Sequence, residues 1–176
     1  MKEVKEIDAI IKKSLQYFLE GINTKKWIGR ENEAVNLFVF SYLVKEIKPN
    51  SILFDSGQIG IEVAVPQINS TDERNKQKTQ VRKDLVIWGK PFMTCWDEKK
   101  NPTNCPISIL EWKFMGFREK QKNRKKGFEK DIKWLKDFSR DKVDFVGYAI
   151  LLDISSGQYK IKAVKIYRGK ENNLLL

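Results

Sequence analysis

Residues 107–114 read ISILEWKF and residues 81–88 read VRKDLVIW. Both are short apolar runs rich in β-branched and aromatic residues, which predicts strands. Side chains at i and i+2 of a strand share a face. In the first run Ile107, Ile109, Glu111 and Lys113 then share one face, while Leu110, Trp112 and Phe114 take the other. In the second, Asp84 is expected on the face of Val86 and Trp88, opposite Leu85 and Ile87. A charged residue on an apolar strand face is costly to bury unpaired. If the two strands are antiparallel neighbours, Asp84 lies beside Glu111. Two carboxylates so close repel each other unless a cation lies between them. A hard divalent ion such as Mg²⁺ takes oxygen ligands of this kind. Lys113, two steps along the strand, lies about 7 Å from Glu111.

Outward from these strands, residues 3–22 carry an apolar stripe: Val4, Ile7, Ile11, Leu15, Phe18 and Ile22. The spacing predicts a helix, stopped near Gly21 and Asn23. A second helix is expected from Thr24, as its cap, to Ile47, ended by Pro49. Glu31 lies on its apolar stripe between Trp27 and Val35, and Glu33 lies toward Leu37 and Phe40. Residues 51–55 form a short apolar stretch and residues 59–68 read as a strand. Residues 69–80 lack any apolar side chain and read as an exposed loop. Residues 118–138 are a basic helical stretch, with a break expected at Gly127. Phe128, Ile132, Leu135 and Phe138 are its core stripe. Strands at 143–153 and 159–167 close the chain around a Ser155-Ser156-Gly157 turn. The order α-α-β-β-β-α-β-β predicts one α/β domain around a mixed sheet, spanning 1–176.

Composition limits the chemistry. The 176 residues include no histidine, which excludes imidazole bases, Ser-His-Asp sites and His-ligated zinc. Cys95 and Cys105 lack the paired spacing of a zinc site and are expected as free thiols. The net charge of +11 points to a polyanionic partner. The longest apolar runs fall short of a membrane span, and the N-terminal stretch, with Glu3, Glu6 and Asp8 among its lysines, has no signal-peptide core. The expectation is a cytoplasmic protein, with the nucleoid as one setting, and no membrane partner.

An acid in one strand, followed after a connection by acid-x-Lys in an apolar strand, resembles the signature of the PD-(D/E)xK nuclease superfamily. The matching residues are Asp84 in VRKDLVIW and Glu111 with Lys113 in ILEWKF. The residue before Asp84 is Lys83, where the family motif is written with proline. The resemblance implies a restriction-endonuclease-like α-β-β-β-α-β core over residues 24–154. Residues 1–23 are then an N-terminal helical extension, and 155–176 a C-terminal hairpin strand and tail. It implies a metal-dependent nuclease, most naturally a DNA endonuclease. Asp84, Glu111 and the backbone carbonyl of Trp112 would hold Mg²⁺, or Mn²⁺ in its place. Lys113 would act on the attacking water or the phosphate. Glu31 would add a further carboxylate from the first core helix, with Glu33 the second choice.

Residues 116–142 carry a net charge of +6. Arg118, Lys120, Lys122, Arg124, Lys125 and Lys126, with Arg82 and Lys83, are the candidate contacts to the nucleic-acid backbone. Double-stranded DNA is the expected partner, and a homodimer would bring two sites to its two strands. Trp96 is a candidate for stacking on a base, and Trp134 is expected to pack. Two alternatives stay open. One is a nuclease-fold module that binds nucleic acid or protein without cutting. The other is an unrelated α/β protein in which these charges form a surface ion pair.

Overall fold

The computed structural model describes residues 2–68, 79–116, 121–155 and 157–176, apart from the side chains of 121 and 122. Two helices, α1 (Lys2–Lys25) and α2 (Glu31–Ser41), precede three strands: β1 (Ile59–Pro66), β2 (Gln80–Ile87) and β3 (Ser108–Met115). Helix α3 (Gln121–Ser139) leads to β4 (Val146–Asp153), β5 (Lys160–Tyr167) and β6 (Lys170–Leu174). The six strands form one sheet in chain order. All neighbours are antiparallel except β3 and β4, which run parallel because α3 carries the chain back between them. Among the described residues no helix is long and apolar enough to cross a membrane.

Each sheet face has its own core. On one side Ile7, Ile11, Leu15 and Phe18 of α1, with Val35 and Phe38 of α2, cover Leu85, Leu110, Trp112 and Ile150. Phe18 meets Trp112 edge to face with centroids 5.6 Å apart. On the other side Phe128, Leu135 and Phe138 of α3 cover Val86, Ile109, Ala149 and Val164. Burial of β3 on both faces follows from these two layers: Ile109 belongs to one core, Leu110 to the other.

Several expected boundaries move, for local reasons. Helix α1 runs past Gly21 to Lys25. A Cβ on Gly21 would lie 1.9 Å from the Tyr42 hydroxyl, so this glycine serves a close helix contact and not a stop. The Thr24 hydroxyl donates back to the Glu20 carbonyl at 2.8 Å, within α1, and caps no second helix. That helix starts at Glu31 and ends at Ser41, giving way to a 3₁₀ turn, Leu43–Glu46. Residues 51–55 form no strand. The buried Gln58 side chain binds the carbonyls of Ile52 and Trp88 and the N–H groups of Phe54 and Asp55, which folds this stretch into a loop. Helix α3 passes unbroken through Gly127. Strand β6 was not expected. Arg168 and Gly169, at φ 49° and 71°, turn the chain so that Tyr167 pairs with Lys170. Gly157, at φ 76°, serves the β4–β5 connection, and Ser156 lies outside the described residues.

Candidate functional site

The β2–β3 ladder holds Ile87 to Ser108, Val86 to Ile109 and Leu85 to Leu110, and its paired register ends there. Beyond Leu85 the strands are joined through side chains. Asp84 Oδ2 accepts the Trp112 N–H at 2.6 Å, and Glu111 Oε2 accepts the Asp84 N–H at 3.4 Å. The β1–β2 register is interrupted opposite the same point, at Glu62, whose φ is 56°. A left-handed residue inside a strand breaks the alternation of faces. Val81 and Val63 accordingly pack with the α3 core, whereas Leu85 and Ile61 pack with the α1–α2 core. Val86 and Trp88 do face away from Leu85 and Ile87 as expected, and only the placing of Asp84 with Val86 and Trp88 is corrected: Asp84 stands at the switch and reaches across to β3.

The switch turns Lys83 inward. Its ammonium donates to Glu111 Oε1 and lies 3.5 Å from the centre of the Trp134 ring. The two paired side chains are only 4 % and 6 % exposed. Lys83 is thus a buried residue and not a surface contact for a nucleic acid, which corrects that assignment. Burial pushes the Glu111 carboxyl up to about 7; Lys83 opposes this, while Asp84 and Asp131 reinforce it.

Lys113 projects from β3 toward α3. It donates to the Trp112 carbonyl at 2.6 Å and is ion-paired with Asp131 Oδ2 at 2.9 Å, and Glu31 Oε1 lies 3.9 Å away. Burial works against its charge, but Asp131, Asp84 and Glu31 outweigh it and hold the ammonium above the usual lysine range. Burial raises both Glu31 and Asp131, and the Lys113 charge opposes it in each. Glu31 Oε2 accepts the Phe114 N–H and the Arg124 guanidinium, each at 3.1 Å. Asp84, Glu111, Lys113 and Glu31 are therefore brought into one electrostatically coupled group. Glu33 is not part of it: its carboxylate accepts the Arg30 N–H at 2.6 Å and closes the first turn of α2.

Two members of the group escaped the sequence reading. Asp131 lies three residues after Phe128 and four before Leu135, on the inward stripe of α3. Its spacing was the available signal. Gly127 is the second. A Cβ there would lie 3.3 Å from Lys113 Cε, so the glycine leaves room for the lysine to pass along α3. Among the basic candidates, Arg82 and Arg124 line an open cleft of about 590 Å³ together with Arg30, Glu31, Glu62 and Asp84. Lys125 and Lys126 are exposed on α3. Arg118, Lys120 and the side chain of Lys122 lie outside the described residues. Trp96 packs against the α3 core and bridges to Pro102, and Trp134 stacks on Phe138 with centroids 4.9 Å apart.

No group of three or more Cys, Asp or Glu is arranged to hold a metal ion among the described residues. Asp84 helps to raise Glu111, and carboxylate oxygens of this kind are the ligands a hard divalent cation takes. Comparison with models of protein families, with characterised proteins and with solved structures finds no match to this chain.

Proposed function

We propose that the chain is a metal-dependent nuclease of the PD-(D/E)xK type that hydrolyses phosphodiester bonds in DNA. One observation carries the reading. Asp84, Glu111, Lys113 and Glu31 meet where the β2–β3 ladder opens, beside a cleft lined by three arginines. The element order from α2 to β4, with three antiparallel strands and a fourth parallel to β3, supports the same reading. Helix α1 and strands β5 and β6 are then additions to a restriction-endonuclease-like core.

Asp84 and Glu111, with the Trp112 carbonyl and Glu31, are the residues that would hold Mg²⁺ or Mn²⁺. When bound, such an ion supplies Lewis acidity at the scissile phosphate. The protein's own groups do the rest. Arg82, Arg30 and Arg124 seat the phosphate backbone in the cleft. Lys113 acts as a fixed positive charge for the phosphoryl oxygens and not as a base, because its oxygen partners hold its proton. Water oxygen adds to phosphorus and releases a proton to solvent, the bond from phosphorus to the leaving oxygen breaks, and that oxygen takes up a proton from solvent.

Plasmid nicking with Mg²⁺ or Mn²⁺ tests the reading. Wild-type nicking that is lost in both Asp84→Ala and Lys113→Ala is the expected result. Equal activity in all three proteins would overturn it. A second reading, a nuclease-fold module that binds without cutting, has one observation in its favour. Glu111 is bonded to Lys83, and the Trp112 carbonyl to Lys113. Salt-sensitive DNA binding with no metal-dependent nicking would support that alternative.

A further inference from the structure

Lys83 occupies an unusual position for an ammonium. It is buried, at the turn-over point of β2, immediately before Asp84. Glu111 Oε1 accepts its proton on one side and the Trp134 ring faces it at 3.5 Å on the other. Asp131 also feels its charge. Desolvating an ammonium is tolerated only with such compensation, and here a carboxylate and a ring face supply it together. Glu111 is also one of the three carboxylates assigned to the metal. The positive charge already paired with that carboxylate opposes the arrival of a second one.

We propose that Lys83 is the resident counter-cation of Glu111 and sets the metal affinity of the site. A divalent ion has to draw the Glu111 carboxylate away from the Lys83 ammonium, and the Trp134 face holds the ammonium in place against it. This rests on the metal-dependent reading above. It adds that metal binding is weakened by a residue of the protein itself, which sets the divalent concentration at which the site fills.

The test needs no catalysis. Free Mn²⁺ is followed by electron paramagnetic resonance while wild type, Lys83→Met, Lys83→Arg and Asp84→Ala are titrated without nucleic acid. Lys83→Met is expected to bind Mn²⁺ about tenfold more tightly than wild type or better. Lys83→Arg, which keeps the charge, is expected to stay within about threefold of wild type. Binding lost in Asp84→Ala but unchanged in a folded Lys83→Met overturns the inference and leaves the metal reading standing. Binding absent from all four proteins overturns both. A second measurement covers a Lys83→Met protein that does not fold. Mg²⁺ added to wild type should change tryptophan emission as the Glu111 carboxylate leaves the ammonium that faces the Trp134 ring and the field at the indole changes, and Trp134→Phe should remove that change. An unaltered emission at a Mg²⁺ concentration that displaces bound Mn²⁺ refutes the displacement.

Discussion

Replacing Gly127 by alanine sets helix stability against site geometry. Glycine inside a helix costs about 1 kcal/mol relative to alanine, and Gly127 lies well inside α3. On propensity alone the substitution stabilises by that amount. The added Cβ, however, would lie 3.3 Å from Lys113 Cε and 3.4 Å from Lys113 Cδ. Lys113 is not free to swing away, because the Trp112 carbonyl and Asp131 hold its ammonium at 2.6 and 2.9 Å. It has to give by a few tenths of an ångström, which uses part of the gain. The expected stability change is therefore a gain between zero and about 1 kcal/mol, read from urea denaturation followed by circular dichroism. Misplacing a catalytic group by about 1 Å costs on the order of 100-fold, so this smaller shift should lower metal-dependent nicking about tenfold. A protein that is both fully stabilised and fully active would refute the role given to Lys113 or its confinement by α3.

Asp131→Asn removes the charged partner of Lys113. Nicking turnover should fall about tenfold with little change in KM, since Asp131 does not line the cleft, and Asp131→Glu should recover part of it. Tyr148 donates to Asp8 Oδ1 at 2.5 Å beneath α1, while Lys165 holds the other carboxylate oxygen at 2.5 Å. Tyr148→Phe should cost about 1–2 kcal/mol in urea denaturation; an unchanged midpoint at constant slope would show that the bond adds nothing to stability. Burial pushes the Cys95 thiol up to about 11, from an ordinary value of 9.0. Its contribution to stability is therefore complete below about pH 9 and is lost as the pH rises through about 11. Cys95→Ala should flatten that alkaline decline, and an aromatic disulfide reagent at pH 8 should reach Cys95 only after urea unfolds the chain.

The faces of β3 were legible because pleating is a local rule, although Ile107, expected beside Ile109, precedes the strand and packs with the α1–α2 core instead. Glu111 and Lys113 side with Ile109, and Leu110, Trp112 and Phe114 turn the other way, whatever packs against them. The stripes of α1 and α3 were legible for the same reason. So was the oddity of acids within apolar strands, which located Asp84 and Glu111 as a pair before any neighbour was known. The choice between Glu31 and Glu33 was not legible, since both lie in one helical turn. It was decided by the loop before α2, whose Arg30 N–H takes the Glu33 carboxylate and leaves Glu31 to reach Phe114 and Arg124.

Lys83 shows the limit most clearly. In sequence it is one lysine in a basic chain, adjacent to an acid, and the solvated reading is the natural one. The left-handed backbone at Glu62 and the end of the β2–β3 ladder at Leu85 turn it inward onto Glu111 and Trp134. Composition and short-range periodicity determined which segments became strands and helices, and which acids lay in apolar surroundings. The tertiary structure alone decided which charge meets which carboxylate. That choice depends on register and on a change of strand face, and both are set by the packing of segments far apart in the chain.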